Sequence, residues 1–229
     1  TADGDIIVHY GWGGYSNVVL NKNILGSALY IDSLKELKCI MNDVSSSNQL
    51  YNAAQYCARY QLIPTINGKF NGASTMTRGA FVNALYRLSG YPYIGNSAAV
   101  ANVENKFTDF NSSSQYHDAA VWAYNNNILT GTTETTLSLS ASLTREQAVV
   151  FLYRLSNHLN CVFSAINGPS ASSFSDYGSV SSFARVAMDW ATKRNIIQGN
   201  NGQLFPASVL SRSDCAYMIF RFATYSYRS

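Results

Sequence analysis

The sequence predicts a mainly α-helical chain: three helical repeats packed into one bundle, preceded by a short β segment. Two observations carry this prediction. An apolar pattern of helical period returns three times at one spacing, and a strand-like alternation fills the first 31 residues and does not recur.

The strand-like stretch comes first. "DGDIIVHYGWGGYSNVVLNKNILGSALYI", Asp3 to Ile31, alternates apolar and polar residues about Gly11-Trp12-Gly13-Gly14. That pattern reads as strands about a tight turn, and we place a β-rich segment over 1–36. The repeats then occupy 37–95, 100–162 and 168–229.

Each repeat opens with an aspartate two residues after an apolar anchor. These are Asp43, Asp109 and Asp176, spaced by 66 and 67 residues. A polar turn follows, then a first helix whose inward residues are Ala53, Tyr56 and Cys57, or Ala119, Trp122 and Ala123, or Ala187, Trp190 and Ala191. An aliphatic pair ends it: Leu62-Ile63, Ile128-Leu129 or Ile196-Ile197. Gly131 and Gly199 then stand where a helix C-cap takes a left-handed residue, whereas the first copy has Pro64-Thr65.

The second helix of each repeat starts at Thr/Ser-Arg. Arg78, Arg145 and Arg212 lie 67 residues apart. The apolar stripes behind them are Phe81, Ala84, Leu85 and Leu88, then Ala148, Phe151, Leu152 and Leu155, then Cys215, Met218, Ile219 and Phe222. This spacing is the inward face of an amphipathic helix. A second arginine closes each copy (Arg87, Arg154, Arg221), with an off-stripe aromatic before it: Tyr86, Tyr153 or Phe220. Such a ring packs on a neighbouring element. Thr144 and Gln147 form a capping box, which puts Arg145 on the first helical position. A cation there costs about 0.3–1 kcal/mol against the helix dipole, so each arginine needs a compensating partner. One such partner is the aspartate of the same repeat. The connecting stretches Gly90–Lys106 and Asn157–Ser173 read as linkers with a short helix each. Neither helix of a repeat can bury its stripe alone, so the repeats pack on one another.

Composition narrows the function. Charged residues are only 13% of the 229 and the net charge is +3, too weak to argue for nucleic acid. No apolar run is long enough to cross a membrane. A surface of Asn, Ser, Thr and Tyr suits a carbohydrate partner. Cys39, Cys57, Cys161 and Cys215 lack metal-ligand spacing, and Cys57 and Cys215 fall on apolar helix faces as buried thiols. No His/Glu cluster or phosphate-cradling Gly loop is present, so we expect no metal, no cofactor and no catalysis.

These residues resemble the S-layer homology (SLH) domain in three tandem copies. Phe107-Thr-Asp109, Phe174-Ser-Asp176, "NIIQG", Leu204-Phe-Pro206 and the three Thr/Ser-Arg pairs match its pattern. The resemblance spans roughly 40–225. It departs at the acidic residue that follows Thr-Arg-Ala, which is Ala80, Gln147 or Asp214 here, and at the early Trp of the first helix, replaced by Leu50 or Gln49, Tyr116 or Gln115, and Phe183. The first copy also begins with Met41 in place of Phe. The resemblance implies a pseudo-threefold helical bundle with grooves between units. It implies non-covalent anchoring of a monomer at the bacterial cell wall or S-layer through an anionic secondary cell-wall polysaccharide, often carrying a pyruvate ketal. The ligand-binding residues would be Arg78, Arg145, Arg212, Asp43, Asp109, Asp176, Trp122 and Trp190.

The segment 3–31 resembles the closing strands of a papain-like cysteine peptidase, which implies the tail of a catalytic domain that lies upstream. No cysteine precedes the segment, and His9 reads as a strand residue. The alternative to a pure anchor is therefore a C-terminal piece of a wall-attached peptidase, and a third reading is a structural module joining surface proteins.

Overall fold

The computed structural model describes residues 6–8, 18–20, 39, 41–163 and 167–228. Near the N-terminus, β1 (Ile6–Val8) pairs antiparallel with β2 (Val18–Leu20), Ile6 opposite Leu20. The Gly11–Gly14 turn, His9 and the rest of the expected β segment lie outside the described residues. The remainder is mainly helical.

Seven α-helices follow among the described residues: α1 (Tyr51–Arg59), α2 (Arg78–Leu88), α3 (Ser97–Glu104), α4 (His117–Asn125), α5 (Arg145–His158), α6 (Arg185–Lys193) and α7 (Arg212–Tyr225). The helices that begin at Arg78, Arg145 and Arg212 are capped as the sequence indicates. Thr77, Thr144 and Ser211 are extended N-caps whose hydroxyls accept from the third helical N–H, and the last two form complete capping boxes with Gln147 and Asp214. Their stripes lie in the core, apart from half-buried Leu88; Phe81, Leu85, Leu152, Leu155, Ile219 and Phe222 are fully buried.

The first helix of each unit packs on the second helix of the preceding one. Thus α4 lies on α2, α6 on α5 and α1 on α7, which closes the chain of contacts into a cycle. The off-stripe aromatics follow the same order. Tyr86 packs on Trp122 at 5.5 Å, Tyr153 on Trp190 at 5.4 Å and Phe220 on Tyr56 at 5.5 Å between ring centroids. At the centre, Met76 N donates to Leu210 O, Leu210 N to Leu143 O and Leu143 N to Met76 O, all at 2.9 Å. These three residues precede the three N-caps and are buried. Their extended backbones would otherwise leave polar groups unpaired in the core, and the mutual bonds remove that cost.

Two expectations need correction. The left-handed residues at the ends of the first helices are Gln61, Asn127 and Asn195, at φ of 56°, 58° and 52°. Gly131 and Gly199 have no positive φ. They are glycines for space: a Cβ on Gly131 would collide with the carbonyls of Thr133 and Thr136 and the Phe107 ring, and one on Gly199 with the Phe174 ring. The second connecting stretch also departs from a helix. It carries β3 (Cys161–Phe163), paired antiparallel with β4 (Ser226–Arg228), and a single 3-10 turn over Ala171–Ser173. The first stretch does hold a helix, α3, capped by Asn96.

Candidate functional site

The three leading arginines answer the dipole question in one way. Arg78 Nε donates to Leu137 O at 3.2 Å and its Nη2 to Thr130 O at 3.0 Å. Arg212 Nε donates to Phe70 O at 2.8 Å and Nη2 to Pro64 O at 2.6 Å. Arg145 Nη2 donates to Gln198 O at 2.7 Å. Each acceptor belongs to the next unit in the cycle. A hydrogen bond from a charged group contributes about 1.5–3 kcal/mol, which outweighs the dipole cost. The guanidinium of Arg78 also lies over the Phe151 ring, and that of Arg212 over Phe70, each at 5.3 Å. Burial lowers the pKa of all three, and Arg78 is only 4% exposed. The second arginines grip the same connectors from within their own unit. Arg87 donates to Gln61 O, Arg154 to Ile128 O and Thr130 Oγ1, and Arg221 to Gln198 Oε1.

The aspartates are clamps. Asp43 accepts from the N–H groups of Phe70 and Asn71, Asp109 from Leu137 and Ser138, and Asp176 from Leu204 and Phe205, all at 2.7–2.8 Å. Burial works to raise the Asp43 carboxyl, but the Phe70 and Asn71 N–H groups, together with its own N–H and Lys69, outweigh it and hold it below its ordinary value. The carbonyls of Leu137 and Phe70 that face an arginine thus belong to residues whose N–H groups are held by an aspartate. The expected pairing of each arginine with the aspartate of its own unit is not formed. Among the described residues no ion pair joins these two sets.

Free N–H groups at the helix starts, on which an anionic ligand was to sit, are absent. The N–H groups of Arg78 and Gly79 donate to Ala141 O and Leu139 O, those of Arg145 and Glu146 to Ser208 O and Pro206 O, and those of Arg212 and Ser213 to Ser74 O and Gly72 O. The third N–H goes to the cap hydroxyl. Trp122, expected to stack on ligand, is 1% exposed and enclosed by Tyr86 and His158. Trp190 is half-buried among Tyr153, Phe163 and Phe222. Both tryptophans tie units together.

What differs between the three inter-unit boundaries is the second helical residue and what faces it. Where α2 meets the second unit, that residue is Gly79, and the Tyr116 ring lies on it so closely that no Cβ would fit. Where α5 meets the third unit, it is Glu146, 9% exposed. Its carboxylate accepts from Ser181 N at 3.0 Å and Ser181 Oγ at 2.8 Å. Where α7 meets the first unit, it is Ser213, and a cleft of about 430 Å³ opens there, lined by Asp43, Asn48, Leu50, Asn71, Ser74 and Ser213.

A larger cleft of about 530 Å³ lies within the second unit, with Lys106, Phe107, Tyr124 and Asn127 on its wall. Lys106 Nζ spans its aromatic face, 2.7 Å from Tyr124 Oη and within 5.5 Å of both ring centroids. Two of its amides are already paired, Asn102 with Asn125 and Asn125 with Ala99 O. The smaller cleft lies on an inter-unit boundary with the Asn48 and Ser213 side chains on its wall, and is the candidate site. Sequence reasoning missed Asn48, Asn71, Ser74, Ser213, Glu146 and Ser181. The varied residue after each leading arginine was the available signal for Glu146 and Ser213. No repeat pattern marks the others.

Comparison with known families agrees with this geometry in its third part. Residues 173–214 match the S-layer homology domain, a span that holds Asp176, α6 and the Ser211-Arg212 cap. No curated protein matches the chain. No helix among the described residues is long and apolar enough to cross a membrane. An S-layer homology domain points to a cell-surface anchoring module.

Proposed function

We propose that the chain is an anchor of three S-layer homology units in a pseudo-threefold bundle, which holds its carrier on the cell wall by binding a secondary cell-wall polysaccharide. The single observation that carries the reading is the cyclic order of contacts. The family match falls on the third unit alone, yet the first and second units repeat its cap, its aspartate clamp and its cross-unit arginine at the same spacing. We take the cleft between the third and first units as the working site. Its Asn48 and Ser213 side chains offer neutral donors for sugar hydroxyls or for an acidic substituent. The arginines support the site by holding the units in register, a positioning role. The ligand class is an anionic wall glycan, the chain acts without catalysis, and one copy suffices.

Purified protein should sediment with cell-wall sacculi that retain their secondary polysaccharide and stay in the supernatant once that polymer is stripped. Equal sedimentation with both would refute the reading.

A further inference from the structure

We propose that the cleft within the second unit is a peptide-binding site, which takes a glycine-bearing extended segment of another chain. The third unit supplies the template, because its own chain fills the matching place. The inference stands apart from the anchor reading and does not use the cleft between the third and first units.

In the third unit the segment before Ala171 runs over the end of α6. Gly168 N donates to Lys193 O at 2.9 Å. A Cβ on Gly168 would collide with the Thr192 carbonyl and crowd Asn195 Oδ1, so only glycine fits there. Further along, Asp189 accepts from Ala171 N at 3.0 Å and Ser170 Oγ at 2.7 Å.

The repeat fixes the counterparts in the second unit. Trp122 matches Trp190, so Asn125 matches Lys193 and Asn127 matches Asn195. Asn125 and Asn127 both lie on the wall of the 530 Å³ cleft. Asn127 and Asn195 share the left-handed conformation, at φ of 58° and 52°, so the two helix ends turn alike. In the second unit, however, no chain covers this rim. Among the described residues the Asn125 carbonyl accepts no hydrogen bond, and the Asn127 side-chain amide makes none. The cause lies one turn back. Val121, fully buried, stands where the third unit has Asp189 and the first has Gln55, which clamps the Cys39 backbone through two bonds. An aliphatic side chain cannot hold a backbone, and α3 packs on α4 in place of the covering segment.

Two departures of the second unit from the common frame meet at this cleft. The helix α3 brings Asn102 and Lys106 to one wall. The connector is one residue longer: Leu137 stands eight places after Leu129, whereas Phe70 and Leu204 stand seven after Ile63 and Ile197. Its turn is wider for that reason, with Thr132 N on Thr136 O, where the other units close tightly with Ile66 N on Lys69 O and Asn200 N on Gln203 O. The wider turn sets Thr133 and Glu134 on the opposite wall. The unpartnered Asn125 carbonyl awaits an N–H, as Lys193 O receives one. Asn127 can pair with a peptide group through both its donor and its acceptor, and Lys106 keeps two N–H groups beyond the one on Tyr124 Oη for a peptide carbonyl. Lys106 and Glu134 form no ion pair among the described residues, so the wall carries one charge of each sign and suits an uncharged segment. Without the aspartate anchor the seat is reversible.

The test is an NMR titration of the isotope-labelled full chain with the capped peptide acetyl-Asn-Gly-Pro-Ser-Ala-Ser-amide, the sequence of residues 167–172. Saturable shifts should appear at Asn102, Asn125, Asn127 and Thr133. The same peptide with Ala in place of Gly should produce none. Asn127→Gly, which keeps the left-handed backbone and removes the amide, should weaken binding about tenfold, as for a lost hydrogen bond. Asn102→Trp, on the exposed face of α3, is the second variant; it should fill the cleft and abolish the shifts. Both variants should still sediment with polysaccharide-bearing sacculi, so a failure here is distinct from a failure of the anchor reading. The site is overturned if the peptide shifts nothing, if the Ala peptide binds as well, or if shifts appear at Gly168 and Lys193 because the peptide displaces the chain's own segment. It is also overturned if the disaccharide of N-acetylglucosamine shifts the same residues and competes with the peptide, since the cleft is then a sugar site.

Discussion

The boundary where α7 meets the first unit and the boundary where α5 meets the third are built on one frame and filled in opposite ways. In both, an extended residue enters the central backbone ring, a Ser or Thr caps the helix, and an arginine reaches the next unit's connector. In the first, Ser213 leaves a cleft of about 430 Å³. In the second, Glu146 closes the space on Ser181. The repeated residues thus hold the bundle together, and the variable ones decide whether a boundary is filled or open. A side chain can recur in every unit because the frame needs it, with no ligand in contact.

The sharpest way to break the comparison is to open the cycle. Removing residues 168–229 takes away α7, the partner of α1, and leaves Met76 N without Leu210 O. The remainder should lose its cooperative thermal transition in circular dichroism, since two units cannot bury their outer faces. A sharp transition near that of the full chain would mean independent units.

The arginines come next, and they rank by the carbonyls each holds and, between Arg78 and Arg212, by exposure. Arg78→Ala orphans two carbonyls around a nearly inaccessible guanidinium and should cost about 3 kcal/mol. In a chain of this size that lowers Tm by about 6–12 °C. Arg212→Ala should cost about 2 kcal/mol and Arg145→Ala, which loses one bond, about 1 kcal/mol. If all three lose wall binding with no change in Tm, they are ligand contacts and the frame account is wrong.

The second helical position gives smaller effects. Gly79→Ala drives a methyl into the Tyr116 ring and should destabilise by about 1–3 kcal/mol. Ser213→Ala, at the matching place beside an open cleft, should stay within about 0.5 kcal/mol. Equal effects by chemical denaturation would erase the distinction between filled and open boundaries.

The smallest effect is that of pH. Among the described residues, two aspartates have carboxyls held below their ordinary value. For Asp43, burial opposes the shift and the Phe70 and Asn71 N–H groups win. For Asp189, burial again opposes it, and Lys193, Ser170 Oγ and Ala171 N win. A depressed folded pKa adds stability above the unfolded value of about 3.9, and that stability is lost as pH falls through the folded values. Asp43→Asn should therefore lower Tm at pH 7 and flatten its decline below pH 4.

Much of the frame was legible in the sequence because its signals are local. Thr144 with Gln147, the stripe from Phe81 to Leu88 and the 67-residue step between arginines each report a helix start, a buried face or a repeat without knowledge of the rest. What was not legible concerns which copy a side chain reaches. With equal spacing, the Asp of an arginine's own unit and the connector of the next unit are equally plausible, and only packing puts Arg78 on Leu137 and Thr130. Gly131 misled for a related reason. A glycine after a helix suggests a left-handed cap, but Asn127 and Asn195 tolerate that conformation and the glycines serve the Phe107 and Phe174 rings. Trp122 misled through its size alone, since a large flat ring serves a ring pair between helices as readily as a sugar face. Beyond the varied residue after Arg212, the open cleft had no sequence signal, because it depends on the absence of a ring or carboxylate at Leu50 and Ser213.

The central claim is that the cleft between the third and first units is where the wall glycan binds. Ser74 is exposed on its rim and contributes only backbone to the frame, its carbonyl accepting from Arg212 N at 2.8 Å. Ser74→Trp should fill the cleft and leave the frame intact. The decisive measurement is co-sedimentation of this variant with polysaccharide-bearing sacculi beside its thermal melt. The account predicts an unchanged Tm and loss of sedimentation. A variant that melts as the wild type does and still sediments with the wall would contradict it.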